Sequence, residues 1–214
     1  MLKEKIYFVA AVGTDIGKTF LVENLCKILP KSSAIKPISS GFDDDSYESD
    51  CAKILSALGL ENSKNNLDSI SPWRFEEAAS PHFAAQNSGT EIDFEAVKNF
   101  CHKKITEAEK ENKFLFIEAS GGVMTPINYD KTFLDLAAEL KIPTLLVTAN
   151  YLGAISHTLC AIEALKTKKV VVEKIIVNEN LPTDQKPSFT INQTIENFSA
   201  ITTVSLKQFL EELS

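Results

Sequence analysis

The sequence predicts one α/β domain over residues 1–214, with a mostly parallel central sheet flanked by helices on both faces. Three observations predict it. Short apolar runs recur along the chain and are apolar on both faces, as strands covered from either side are. Segments of helical periodicity separate those runs, and such alternation builds parallel sheets with crossover helices. The chain has 214 residues, 44% hydrophobic and 24% charged, enough for one full core.

In chain order, the predicted strands are 6–12, 33–36, 114–118, 144–148, 174–178 and 200–204. The predicted helices are 18–29, 47–58, 93–112, 132–140, 155–166 and 206–213. The segment 132–140 is typical: Phe133, Leu136, Ala137 and Leu140 fall on one face and form a core stripe. The polar, Asn-rich stretch 60–70 reads as a surface loop, as does 179–189 with its two prolines. Ligands of such sheets bind beyond the carboxyl ends of the strands. Segments 12–18, 36–41, 118–126, 149–156 and 178–180 are therefore expected on one edge.

Composition excludes several classes. Lys+Arg is 22 and Asp+Glu is 29, a net charge of −7, which argues against a broad nucleic-acid or anionic-membrane footprint. Cys26, Cys51, Cys101 and Cys160 have no zinc or redox spacing and read as reduced thiols. His82, His102 and His157 show no metal-ligand spacing either. No stretch is long enough to cross a bilayer, and residues 6–12 read as a buried strand rather than a secretory leader. The expected compartment is the cytoplasm.

The chemistry concentrates at the strand ends. Gly13-Thr14-Asp15-Ile16-Gly17-Lys18-Thr19 follows a strand and opens a helix, the context of a phosphate-binding loop. Gly17 permits close backbone approach, Lys18 offers a charge to the β/γ-phosphates, and Thr19 can place its hydroxyl on Mg²⁺. The usual template has a glycine where Val12 stands. Lys36, held extended by Pro37, ends the second strand and suits charge neutralisation in phosphoryl transfer. Read alone, it reads first as a solvated lysine before a turn and second as a functional cation. Asp50, early in a helix, reads first as a helix-dipole partner and second as a metal ligand. Glu118 ends an apolar strand before Ala119-Ser120-Gly121-Gly122, which suits a carboxylate ligand for Mg²⁺. Gly153 to Ser156 begins a helix whose free N–H groups suit a carboxylate, and Asn178 ends a strand where an amide can read adenine. A cap or a turn residue is the plain alternative at both.

Together these segments resemble the dethiobiotin synthetases, P-loop enzymes of the penultimate step of biotin synthesis. The likeness rests on the loop, on Lys36-Pro37 with Ser40-Gly41, on Ser49-Asp50 and Ser80-Pro81-His82, on 118–126 and 152–157, and on Asn178. It implies ring closure of 7,8-diaminopelargonic acid with CO₂ or bicarbonate and ATP, through a carbamate and its mixed anhydride with phosphate. On that resemblance Lys18, Lys36, Thr14 and Asp15 are catalytic, and Thr19, Asp50 and Glu118 hold Mg²⁺. The nucleotide lies against Asp15, Ile16, Gly17, Lys18, Thr19, Phe20, Asp50, Glu118, Ala119, Ser120 and Gly121, with Asn178 and Glu179 beside adenine. Ser40, Gly121 and Gly122 hold the diamine, while Gly153 and Ser156 hold its carboxylate across a homodimer interface.

The sequence departs from the family pattern at Ala11 and Ala119, where glycine is usual, at Ser156, where asparagine is common, and at 204–206, which lacks a proline. Base contacts near Val204 to Leu206 and at Glu211 are thereby left open. Two other readings compete. One is a P-loop ATPase switch of the partitioning or metal-chaperone type, though no basic stripe or Cys/His cluster supports it. The other is a binding protein that keeps the fold without the chemistry.

Overall fold

A computed structural model describes residues 2–43, 46, 48–180 and 191–214. In chain order the elements are β1 (Ile6–Ala11), α1 (Lys18–Ile28), β2 (Ser32–Ile35), β3 (Ile38–Ser40), α2 (Asp50–Ala57) and α3 (Lys64–Ile70). Next come β4 (Trp73–Phe75), α4 (Pro81–Asn87), α5 (Phe94–Glu111), β5 (Phe114–Glu118), α6 (Phe133–Leu140) and β6 (Thr144–Ala149). The chain continues through α7 (Ala154–Thr167), β7 (Val172–Asn178), α8 (Asn192–Ser199), β8 (Thr203–Ser205) and α9 (Leu206–Glu211).

Six strands form a wholly parallel sheet in the order β2-β5-β1-β6-β7-β8. Every residue of β6 and all but the first of β1 are buried, which is why these strands read as continuous apolar runs without alternation. The predicted stripe on α6 is buried at Phe133, Leu136, Ala137 and Leu140. Thr132 caps that helix reciprocally with Asp135. No helix among the described residues is long and apolar enough to cross a membrane.

The structure corrects the expected loop at 60–70. Residues 64–70 form α3, capped by the Ser63 hydroxyl, with Leu67 and Ile70 buried. Two apolar residues three apart, with a serine cap, outweigh the asparagines' loop preference. Strand β8 begins at Thr203 rather than 200, because Ala200 is the left-handed cap that ends α8. Helices α3, α4 and α8 and the pair β3–β4 are additions to the predicted set. That small parallel pair matches Ile38 with Trp73 and Ser40 with Phe75. The start predicted for the second helix, residue 47, and most of the predicted loop at 179–189 lie outside the described residues.

Candidate active site

The strand order sets the site. Strand β5 inserts between β1 and β2, so the carboxyl ends of β2, β5 and β1 stand side by side. Lys36 follows the first of these, Glu118 ends the second, and the phosphate loop follows the third. They frame a cleft of about 910 Å³ lined by Thr14, Asp15, Gly17, Lys18, Thr19, Phe20, Lys36, Ser40, Asp50, Glu118, Ser120 and Gly121, among others.

One carboxylate joins the two halves. Glu118 Oε1 accepts from the Thr19 hydroxyl at 2.7 Å and from the Lys36 ammonium at 2.9 Å. Lys36 also donates to Asp50 Oδ2. Burial by itself would depress the Lys36 ammonium, but the Glu118 and Asp50 carboxylates outweigh it and hold it above the ordinary lysine range. Burial likewise opposes the charge on Asp50, and Lys36 reverses the balance, so its carboxyl lies below the ordinary value. Lys18 donates to the carbonyls of Gly13 at 3.0 Å and Gly121 at 2.8 Å. Burial pulls its ammonium down to about 8, against the charge of Glu118.

The phosphate loop has the backbone that anion binding needs. Asp15 (φ 54°) and Gly17 (φ 107°) are left-handed and Ile16 between them is not, an alternation that turns neighbouring N–H groups toward one point. Val12, in place of the template glycine, has no positive φ and gives its N–H to Val147 at 3.1 Å. A side chain is therefore tolerated there.

The fit to Mg²⁺ rests on donor chemistry. Among the described residues no three His, Cys, Asp or Glu side chains form a ready metal cluster. Mg²⁺ needs fewer, since it takes one or two carboxylates together with phosphate oxygens. Thr19 bonds Glu118 directly, Lys36 links Glu118 to Asp50, and Glu118 Oε2 is buried without a partner. An unpaired buried carboxylate oxygen is costly unless something takes it up.

Some expected residues lie off the cleft wall. Ala119 is fully buried and gives its N–H to Val9. Ser120 lines the cleft, but its hydroxyl donates to the Ile38 carbonyl, tying β5 to β3. Gly122 gives its N–H to Thr125 Oγ1 at 2.8 Å. Ile16 is buried beneath the loop, with Asn178 bonded to its carbonyl. Glu179 is exposed beyond β7. Gly153 and Ser156 stand at the start of α7, outside this cleft.

Sequence reasoning missed Glu23 and Lys53, which also line the cleft. Helical spacing was the available signal: Glu23 is four residues beyond Thr19 on α1, and Lys53 three beyond Asp50 on α2.

A family model described as an AAA domain matches residues 5–211. The ATP-dependent dethiobiotin synthetase BioD of Phenylobacterium zucineum is 38% identical over 179 residues, covering 81% of this chain and 76% of the relative. That of Methylobacterium nodulans is 34% identical over 202 residues, covering 91% of this chain and 89% of the relative. The chain belongs to the dethiobiotin synthetase family. In this member the usual glycine at 119 is replaced without strain, because Ala119 has no positive φ. The left-handed position of the turn is Gly121 (φ 70°), where an added Cβ would meet Thr125 Oγ1 at 2.4 Å.

Solved structures agree on the fold. The ParA family ATPase from Chlorobium tepidum matches with a TM-score of 0.53 at 13% identity, over 97% of this chain and 89% of that one. MinD from Aquifex aeolicus gives 0.52 at 16%, over 98% and 85%. At such identities the likeness speaks for architecture alone and does not favour the switch reading.

Proposed function

We propose that the chain is an ATP-dependent dethiobiotin synthetase, closing the cyclic urea of dethiobiotin from 7,8-diaminopelargonic acid, CO₂ and ATP. The observation that carries this reading is the Glu118 carboxylate, which bonds Thr19 of the phosphate loop and Lys36 of the neighbouring strand end at once. A site for phosphate binding alone would not need Lys36 buried at its edge. Transfer of phosphoryl to a second anion does need a cation between the two.

The residues divide the work as follows. Backbone N–H groups of the loop, with Lys18, hold the β- and γ-phosphates, and Thr14 and Asp15 lie at the cleft mouth beside the reacting amines. Phe20 borders the nucleotide, and Asn178 and Glu179 stand on the side expected for the base. Ser40, on β3, and the backbone at Gly121 and Gly122 orient the diamine. One amine takes up CO₂ and loses a proton, giving a carbamate. Lys36 neutralises the carbamate as its oxygen attacks the γ-phosphorus and ADP leaves. The second amine then attacks the carbamoyl carbon, the ring closes, and phosphate departs with the oxygen. Mg²⁺, held by Thr19, Asp50 and Glu118, would draw charge from the phosphate oxygens.

The active form is taken to be a homodimer. Phe83 and Tyr129 are exposed and in edge contact, Met124 is exposed, and Leu152 is exposed at the α7 start that carries Gly153 and Ser156. Pairing would cover both patches and bring that helix start to a substrate carboxylate. The cytoplasm, where ATP and reduced thiols coexist, is the compartment that suits this chemistry.

Phosphate release should require 7,8-diaminopelargonic acid and bicarbonate together, with dethiobiotin formed in equal amount by mass spectrometry. Full-rate release without the diamine would reject the reading.

A further inference from the structure

Lys53 is a cation on the cleft wall that no step of the proposed reaction uses. It stands three residues beyond Asp50 on α2, so the two side chains share one face of that helix. Its ammonium is 3.5 Å from Glu48 Oε2, and the two side chains are 40% and 89% exposed. An ion pair so open to water is weak and readily exchanged.

The other cations of the cleft are held more closely. Lys18 donates to the Gly13 and Gly121 carbonyls, and Lys36 to Glu118 and Asp50. Carboxylates outnumber the three lysines, since Asp15, Glu23, Glu48, Asp50 and Glu118 line the same cleft. A polyanion entering there meets repulsion that an ammonium free to move along the wall relieves. Lysine suits that part, being a point charge on a flexible stem. Position says which end of the anion it meets. Through Asp50, Lys36 ties the first turn of α2 to Glu118, where the γ-phosphoryl group is transferred in the proposed reaction. Lys53 is one helical turn further along, and so flanks the γ-phosphate.

We propose that Lys53 is a specificity-determining residue for nucleoside triphosphate over diphosphate: its ammonium exchanges Glu48 for the γ-phosphate, and returns to Glu48 once that group has been transferred. The proposal rests on the loop being the nucleotide site.

The experiment is calorimetric titration of ATP and of ADP, each with Mg²⁺, into wild type, Lys53→Met, Lys53→Arg, Glu48→Gln and the double variant Lys53→Met/Glu48→Gln. Lys53→Met should weaken ATP by about three- to tenfold, the worth of one charge contact open to water, and leave ADP within about twofold. High salt should shrink the difference, and Lys53→Arg should restore most of the ATP affinity. Glu48→Gln should tighten ATP while Lys53 is present and much less once it is methionine. Unchanged ATP affinity in Lys53→Met, or an equal loss of ATP and ADP, would overturn the proposal. So would equal tightening by Glu48→Gln in both backgrounds, which would mark a general charge effect. Failure of wild type to bind ATP would reject the nucleotide site itself, an outcome the wild-type titration alone reveals.

Discussion

Lys36 Nζ and Glu118 Oε1 stand 2.9 Å apart, with side chains 7% and 0% exposed. Removing one partner of a buried pair leaves the other charge uncompensated, at a cost of about 3–5 kcal/mol. Asp50 stays beside Lys36 and lowers that cost. Glu118→Gln should destabilise by about 2 kcal/mol in urea unfolding. The double variant Lys36→Met/Glu118→Gln should lose less than the two single changes summed, since it buries no lone charge. Additive losses would show that the pair is not coupled. Both single variants should lose turnover by about a hundredfold or more, as when a residue that stabilises transition-state charge is removed.

Ala119 and Gly121 should respond oppositely to exchange. Ala119→Gly removes a buried methyl and loosens the unfolded chain, so stability should fall by about 1–2 kcal/mol while turnover stays within about twofold. Gly121→Ala forces a Cβ onto Thr125 Oγ1 in a left-handed turn. It should cost about tenfold or more in turnover, by displacing the Gly122 N–H and the carbonyl that Lys18 holds. A restored glycine at 119 that raised activity strongly would contradict this account.

Asp135 gives a pH-dependent contribution to stability. Burial raises its carboxyl, but the Thr132 N–H, the Thr132 hydroxyl and Lys168 together bring it below the ordinary value of 3.8. A folded-state pKa below the unfolded one means that the contribution is complete above the unfolded value and lost as pH falls through the folded one. Asp135→Asn should therefore cost about 1 kcal/mol near pH 7, the worth of a helix cap. The gap to wild type should narrow by pH 3, and a gap independent of pH would point to packing instead.

Thiol reactivity should single out one residue. Burial pushes the Cys26 and Cys101 thiols up to about 12 and also raises Cys51, whereas Cys160 is exposed. Native protein at pH 8 should release one equivalent of colour with Ellman's reagent, and Cys160→Ser should release none. Urea-unfolded wild type should release all four. A second fast thiol in the native protein would mean that a buried helix opens readily.

Much of the molecule is legible in local pattern. Strand β5 was read at its observed bounds, and α1 and α6 within a residue, because their apolar periodicity is long and unbroken. Helix α3 was hidden because its seven residues include two asparagines, and only its cap and the burial of Leu67 and Ile70 made it helical. Glu23 and Lys53 were hidden because a charge on a helix reads as solvated until a neighbouring element turns that face into a cleft wall.

The sequence by itself determined the alternation of strands and helices, the phosphate loop with Lys18 and Thr19, and the placing of Lys36 and Glu118 at strand ends. Those features follow from the periodicity of apolar residues and from the chemistry of short segments, both readable along the chain. The tertiary structure decided which strand ends are neighbours. Pairing of Ser33 with Leu115 and of Val9 with Glu118 sets β5 between β2 and β1. It thereby joins Glu118 to Lys36 across 82 residues and to Thr19 across 99. It also decided that Asn178 spends its amide on the loop. Contacts of that range depend on the packing of whole elements, for which a local pattern carries no signal.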